Sequence, residues 1–152
     1  MLGDKAKKLV FIGSDHAGFK EKDVLHKHLL ERGFDVTDLG TFTEESCDYP
    51  DIAREVGEKV REHKGAFGVL ICGSGIGMCM AANKIQTVRA AVANDESTAA
   101  LSRVHNDANV LCMGSRVIKV ELMVKIADKF FATDFEKDEE RRVRRVNKLD
   151  EM

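Results

Sequence analysis

The chain has 152 residues, 43% of them hydrophobic and 33% charged, with 24 basic against 26 acidic side chains and a net charge of −2. It is long enough to bury a core without disulfide or metal staples, and too apolar to be disordered. No apolar run approaches the roughly 18 residues of a membrane helix, the first apolar stretch is too short for a signal peptide, and a balanced charge argues against a dedicated nucleic-acid binder. A cytoplasmic protein is expected. Its four cysteines, Cys47, Cys72, Cys79 and Cys112, form no CxxC pair. They are then reduced thiols, each readable as a small buried hydrophobe.

Leu9 to Ile12 is a continuous apolar run before Gly13-Ser14, which reads as a buried strand. Residues 17–32 carry Phe19, Val24, Leu25 and Leu29 at roughly helical spacing, and Gly33 is the stop. Residues 34–39 alternate, as a strand nearer an edge does. A loop over 41–49 leads to Pro50, favourable at a helix start, and Ile52, Ala53, Val56 and Val60 continue at helical spacing. Phe67–Cys72 is the most buried-looking strand, followed by Gly73-Ser-Gly-Ile-Gly77 and a small-residue helix. Arg89–Ala93 is a fourth strand. Asp95 and Ser97 suit a helix start, with that helix ending near Val104 and His105-Asn106-Asp107 in a loop. Val110–Met113 is a fifth strand, and residues 116–132 a long amphipathic helix. The charged tail places Val143, Val146 and Leu149 at every third residue, so a final helix over about 135–150 has one thin apolar stripe.

Strands alternating with helices predict an α/β fold. The expected form is a doubly wound, Rossmann-like αβα sandwich with a five-stranded, mostly parallel sheet. All of residues 1–152 make one domain. The thin stripe suits a C-terminal helix that reaches a partner subunit.

Ligands of open α/β sheets bind beyond the carboxyl ends of the strands. The segments there are Ser14-Asp15-His16, the glycine turn after Cys72, Asn94-Asp95 and Gly114-Ser115-Arg116. Three alternate glycines entering a helix leave N–H groups free to cradle an anion. The spacing fits neither the dinucleotide fingerprint nor a P-loop, and the turn alone equally suits a tight strand-to-helix connection. Cys72 ends a buried strand facing that helix N-terminus, a setting that favours the thiolate a base or nucleophile needs. Cys47 and Cys79 lack such a setting, and Cys112 lies inside a strand. Asp15-His16 reads as a bonded loop pair, an acid/base pair or an anion contact. His105 offers an imidazole that titrates near neutral pH, or a surface-loop residue. His26, His28 and His63 fall in helices and face solvent. Arg141 and Arg145 share a helical face with i, i+4 spacing and suit a phosphate, or else pair with Asp138, Glu139 or Glu140. No metal site is expected, because three or four ligands would have to converge.

GSDHAGFKEK, LGTF, DYPDIA, LICGSGIGMCMAANK, LSRVHNDANVLCMGSRVI and the arginine-rich C-terminal helix together resemble the ribose-5-phosphate isomerase B family. That family shares its fold with galactose-6-phosphate isomerase subunits. The resemblance spans about residues 9–146. It implies interconversion of ribose 5-phosphate and ribulose 5-phosphate in the pentose phosphate pathway, without cofactor, in a homodimer or tetramer with shared active sites. It implies Cys72 as the base, since the position where some relatives carry Glu is Met78 here. Ser74 then bonds the reacting oxygens, and the N–H groups of Gly73, Gly75, Ile76 and Gly77 hold the enediolate. His105 opens the sugar ring, Asp15 and Asn106 bind hydroxyls, and Tyr49 lines the pocket. His16, Arg116, Arg141 and Arg145 bind phosphate, the last two from the partner. Alternatives are an isomerase of allose 6-phosphate or galactose 6-phosphate, a non-catalytic phosphosugar-binding module, and a redox thiol protein.

Overall fold

The computed structural model describes residues 7–152. Strands β1 (Leu9–Ser14), β2 (Asp35–Asp38), β3 (Phe67–Cys72), β4 (Ala90–Val92) and β5 (Val110–Gly114) alternate with helices. These are α1 (Phe19–Glu31), α2 (Tyr49–Glu62), α3 (Ile76–Ala82), α4 (Glu96–Asn106), α5 (Val120–Ala132) and α6 (Glu140–Asp150). The sheet order is β2-β1-β3-β5-β4, and every neighbouring pair is parallel. The expected α/β sandwich is therefore present, with a wholly parallel sheet.

The apolar runs of β1, β3 and β5 are continuous because both faces of these strands are covered. Val10, Ile12, Val69, Ile71, Leu111 and Met113 point into a core with Leu25, Leu29, Met123, Ile126 and Phe130 of α1 and α5. Phe11, Leu70, Cys72, Val110 and Cys112 point the other way, among Ala53, Val56, Met78 and Ala82 of α2 and α3. The period-2 alternation thus puts Cys72 and Cys112 on the face that α3 covers. The chain reverses its direction across the sheet between β1 and β3, so the crevice at their carboxyl ends is the topological switch point.

Several element boundaries differ from the sequence pattern. β1 continues through Gly13 and Ser14, and a short 3-10 turn over His16–Gly18 precedes α1. Residues 116–119 are not yet helical, and α5 starts at Val120. The final helix starts at Glu140, where Glu139 caps it, rather than near 135. Its Val146 is buried in this subunit, where α6 packs on α4. α4 runs two residues past Val104, so His105 and Asn106 are helical and only Asp107, with φ of 48°, ends the helix. The apolar pattern stops at Val104, but the Arg103–Asp107 bond at 2.8 Å carries the last turn. The helical histidines are not all solvent-facing. His28 is half-buried, with Nε2 2.7 Å from Asp128 of α5, and His26 sits 3.8 Å from Asp38. His63 is exposed, its ring tilted against Phe11.

Lys22 is 2% exposed, and its Nζ lies 2.7 Å from both carboxylate oxygens of Asp38. Phe19 and Phe42 flank the ammonium. Asp38 also accepts the Gly40 N–H at 2.9 Å. Gly40 O in turn takes the Ser14 N–H at 2.7 Å, and Thr41 N–H donates to Ser14 O at 2.8 Å. The ion pair thereby fastens the loop after β2 to the end of β1, one residue before Asp15. Removing one partner of a buried pair leaves the other charge uncompensated. Asp38→Ala should therefore lower unfolding stability by about 3 kcal/mol in a urea titration. Lys22→Met, which leaves a carboxylate with some access to water, should cost clearly less. Equal small losses for both would count against an uncompensated ammonium as the cause.

Candidate active site

Backbone bonds continue the sheet ladder past the strand ends and set three loops side by side. Asp15 N–H donates to Ile71 O at 3.1 Å, Ser115 N–H to Cys72 O at 2.9 Å and Arg116 N–H to Gly73 O at 2.9 Å. Ser115 Oγ donates to Ala17 O at 2.7 Å, tying the β5 loop to the turn after β1. Over these loops opens a cavity of about 510 Å³ lined by Asp15, Tyr49, Cys72, Gly73, Ser74, Ile76, Gly77, Met80, Arg116 and Val117.

Cys72 is 4% exposed, at the floor of this cavity. Its Sγ accepts the N–H of Gly75 at 3.1 Å. Gly75 turns into α3 with φ of +79°, and a Cβ there would come within 2.8 Å of the Met113 backbone. Only glycine combines that conformation with that approach. Ser74 Oγ accepts the Ile76 N–H at 3.2 Å. Two N–H groups of the glycine turn are thus engaged within the loop, a narrower free set than the glycine spacing suggests. Gly77 lies in the first turn of α3, where N–H groups have no acceptor in their own helix. The Tyr49 ring, at the start of α2, packs so closely on Gly77 that a Cβ would stand 2.6 Å from it. The Arg116 guanidinium lies against Gly73 in the same way, with a Cβ there 3.3 Å from its Nη1.

Asp15 is 6% exposed, and its Oδ1 accepts the Ala17 N–H at 2.9 Å. The Cys47 N–H donates to His16 Nδ1 at 3.2 Å, which leaves the neutral ring's proton on Nε2. Each residue of this dipeptide therefore bonds its own partner. Cys47 thereby positions His16, a role that nothing in its sequence context signals. Met80 and Val117 also line the cavity without having been singled out, although Met80 stands one helical turn after Ile76.

Four expected site residues lie elsewhere. Helix α4 has 11 residues and runs antiparallel to the strands, and β5 has 5. The end of α4 is therefore at the amino edge of the sheet, on the order of 15 Å from the Cys72 end. His105 and Asn106 are exposed there, and Asn106 lines a different cavity beside α6. His105 does not line the cavity of its own subunit, because the connection from α4 to β5 lies at the amino edge of a parallel sheet. Arg141 and Arg145 are exposed on α6. Among the described residues no carboxylate pairs with either side chain, whereas their neighbour Arg142 pairs with Glu136. Asp138, Glu139 and Glu140 thus pair with neither guanidinium, and Glu139 Oε1 accepts the Arg141 backbone N–H at 3.4 Å. Glu136 N–H donates to Val104 O at 3.2 Å, so the segment before α6 is docked beside His105.

A parallel open sandwich with its crevice at the β1–β3 switch point, and with a thiol and a glycine turn on its floor, defines a class of small-ligand α/β proteins. The chain belongs to the ribose/galactose isomerase family, whose model matches residues 10–149. It is 45% identical to the ribose-5-phosphate isomerase B of Escherichia coli over 86% of this chain and 87% of that one. It is 44% identical to a probable ribose-5-phosphate isomerase B of Mycoplasma genitalium, with 92% of each chain covered. The crystal structure of the ribose-5-phosphate isomerase B from Mycoplasma genitalium with bound ribulose-5-phosphate superposes with a TM-score of 0.89 at 43% identity, covering 94% of both chains.

The thiols differ in ways their spacing conceals. Cys79 is half-buried on α3, and its Sγ lies 3.4 Å from Ala90 O and 3.5 Å from Asn83 Nδ2. A hydrogen bond from Cys112 pulls the Cys79 thiol down to about 7, assisted by the Val92 backbone and Asn83 and opposed by burial. The shared bond and complete burial push Cys112 up. Cys79 lacks the strand-end setting of Cys72, as expected, and is lowered instead by its side-chain neighbours. Below about pH 7 it holds its proton and above that it is a thiolate. Iodoacetamide labelling with peptide mapping should show Cys79 modification rising through that pH while Cys112 stays protected in the folded protein. A flat Cys79 profile between pH 6 and 8 would refute the assignment.

Proposed function

We propose that the chain is an aldose–ketose isomerase that interconverts ribose 5-phosphate and ribulose 5-phosphate. The observation that carries this reading is the Cys72 thiol, 4% exposed on the floor of the cavity and bonded at 3.1 Å to the Gly75 N–H. Isomerisation moves one proton between C2 and C1 of the open-chain sugar. Cys72 as thiolate takes the C2 proton of the aldose, and the C–H electron pair forms the C1–C2 double bond of an enediolate. The same proton returns to C1 as the ketose carbonyl forms at C2. The bond from Gly75 N–H fixes the sulfur at the floor of the cavity.

The developing charge on the substrate oxygens needs donors fixed in advance, an effect worth about 3 kcal/mol for each donor in comparable sites. Gly77 N–H and the free N–H groups of Gly73 and Ser74 serve this role, with Ser74 Oγ moving the hydroxyl proton between O1 and O2. Asp15 and Tyr49 hold the sugar. Arg116 and His16 bind the phosphate, whose binding energy fixes the small flexible substrate.

His105, Asn106, Arg141 and Arg145 complete the site from a second copy of the chain. The topology supports this, since α4 ends at the far edge of its own sheet. Ile76, Met80 and Val117 form an exposed apolar rim around the cavity, and Leu101 is exposed one helical turn before His105. A twofold arrangement that brings the α4 face of one copy to the α3 rim of the other buries both surfaces and makes two equal sites. His105 then protonates the ring oxygen and opens the furanose.

Cys72→Ala should lower kcat by about a thousandfold, the scale of a lost general base. Binding of ribitol 5-phosphate, which has no carbonyl to isomerise, should change little. Retention of most turnover would exclude Cys72 as the base. A parallel assay with allose 6-phosphate and galactose 6-phosphate tests the sugar: preference for either overturns the ribose assignment, and comparably poor turnover of all three overturns the isomerase reading.

A further inference from the structure

Two arginines outside the cavity, the half-buried Arg89 and the buried Arg103, make several directed bonds. Arg89 precedes β4 with its side chain 16% exposed. Its Nε donates to Asp107 O at 2.9 Å, its Nη2 to Asp107 Oδ2 at 3.4 Å, and its Nη1 to Thr87 O at 3.1 Å and Asp150 Oδ1 at 2.8 Å. Arg103 reaches the same residue from the other side, with Nη1 2.8 Å from Asp107 Oδ1 and 2.6 Å from Ala108 O. Its guanidinium lies over the Phe67 and Phe130 rings.

Asp107 ends α4, one residue after Asn106 and two after His105. Asp150 ends α6, the helix of Arg141 and Arg145. Arg89 therefore holds the ends of two helices with one rigid fork. At the other end of α6, Arg142 pairs with Glu136, whose backbone docks on Val104. α4 and α6 are locked into one unit whose four polar groups, His105, Asn106, Arg141 and Arg145, do not line the cavity of their own subunit.

We infer that Arg89 is a positioning residue that acts across the subunit interface: it fixes His105 and Asn106 relative to Arg141 and Arg145 so that all four enter the partner's site in register. This rests on the shared-site reading above. Its physical basis is the steep dependence of rate on placement, where displacement by about 1 Å can cost a hundredfold. A guanidinium that bonds both helix ends restrains such displacement, and a residue confined to its own fold would have no effect on the neighbouring copy.

Mixed dimers of differently tagged, co-expressed chains test this. The Arg89→Met homodimer should lose roughly tenfold to a hundredfold in kcat/KM. In a Cys72→Ala/Arg89→Met mixed dimer, the intact Cys72 sits in the Arg89→Met chain and receives an unaltered α4–α6 unit from its partner. That dimer should recover about half of the wild-type activity, because one of two equal sites is whole. Asp150→Ala, which removes only the α6 end of the clamp, should show a smaller loss and the same recovery, and it serves if Arg89→Met does not fold. Cys72→Ala/His105→Asn is the control for site sharing. Recovery there without recovery of the Arg89 and Asp150 mixtures overturns the clamp and leaves the shared site standing. No recovery in the control overturns the shared site and the clamp with it. Wild-type kcat/KM in both homodimers, Arg89→Met and Asp150→Ala, also overturns the clamp.

Discussion

The site depends on backbone hydrogen bonds that run on beyond the strands. A parallel sheet aligns its strands, but the residues after them are free unless something continues the register. Here Asp15 bonds to Ile71, Ser115 to Cys72 and Arg116 to Gly73. Three loops from distant parts of the chain become one surface, and the Cys72 sulfur lies at its centre. The glycines follow from the same constraint. Gly75 lets the turn press on the β5 end, and Gly77 lets the Tyr49 ring lie on the first turn of α3. Side chains at either position would push the cradle and its thiol apart.

Ion pairs support this surface from outside it. Lys22 and Asp38 fasten the β2 loop to the end of β1, and Asp107 joins Arg89 to Arg103 behind the last turn of α4. Such pairs add little net stability, because desolvation consumes much of the attraction. Their directionality is what matters, since an apolar contact in either place would leave the loop or helix end free to slide. Asp107 stands one and two residues after Asn106 and His105, and the Lys22–Asp38 pair reaches Ser14, beside Asp15, through Gly40.

The thiols show how environment separates identical groups. Cys72 and Cys112 share a face of the sheet, but Cys72 ends its strand at the cavity and Cys112 is sealed beneath α3. Cys79, from α3, lies beside Cys112 and is the more acidic of that pair because the bond they share lowers Cys79 and raises the fully buried Cys112. Cys47 offers a backbone N–H to His16 rather than its sulfur.

The sequence by itself determined the sheet, the helices and the crevice. Continuous apolar runs require strands covered on both faces, and polar or glycine-rich segments after them mark the carboxyl edge. Motif resemblance named the family from contiguous stretches, and these carry the parts of the site built from single loops: Asp15, Cys72 to Gly77, and Arg116. Only the tertiary structure decided which polar groups share a subunit's cavity. His105 and Asn106 looked like neighbours of the cradle while they were read as loop residues. They stand at the end of α4, which runs antiparallel to the strands and so reaches the opposite edge of the sheet just before β5 begins. The partners of Arg89, at 18 and 61 residues' separation, are equally invisible to local spacing. Helix direction and long-range charge pairing are properties of the packed chain, and they turn one subunit's remote surface into the other half of the proposed site.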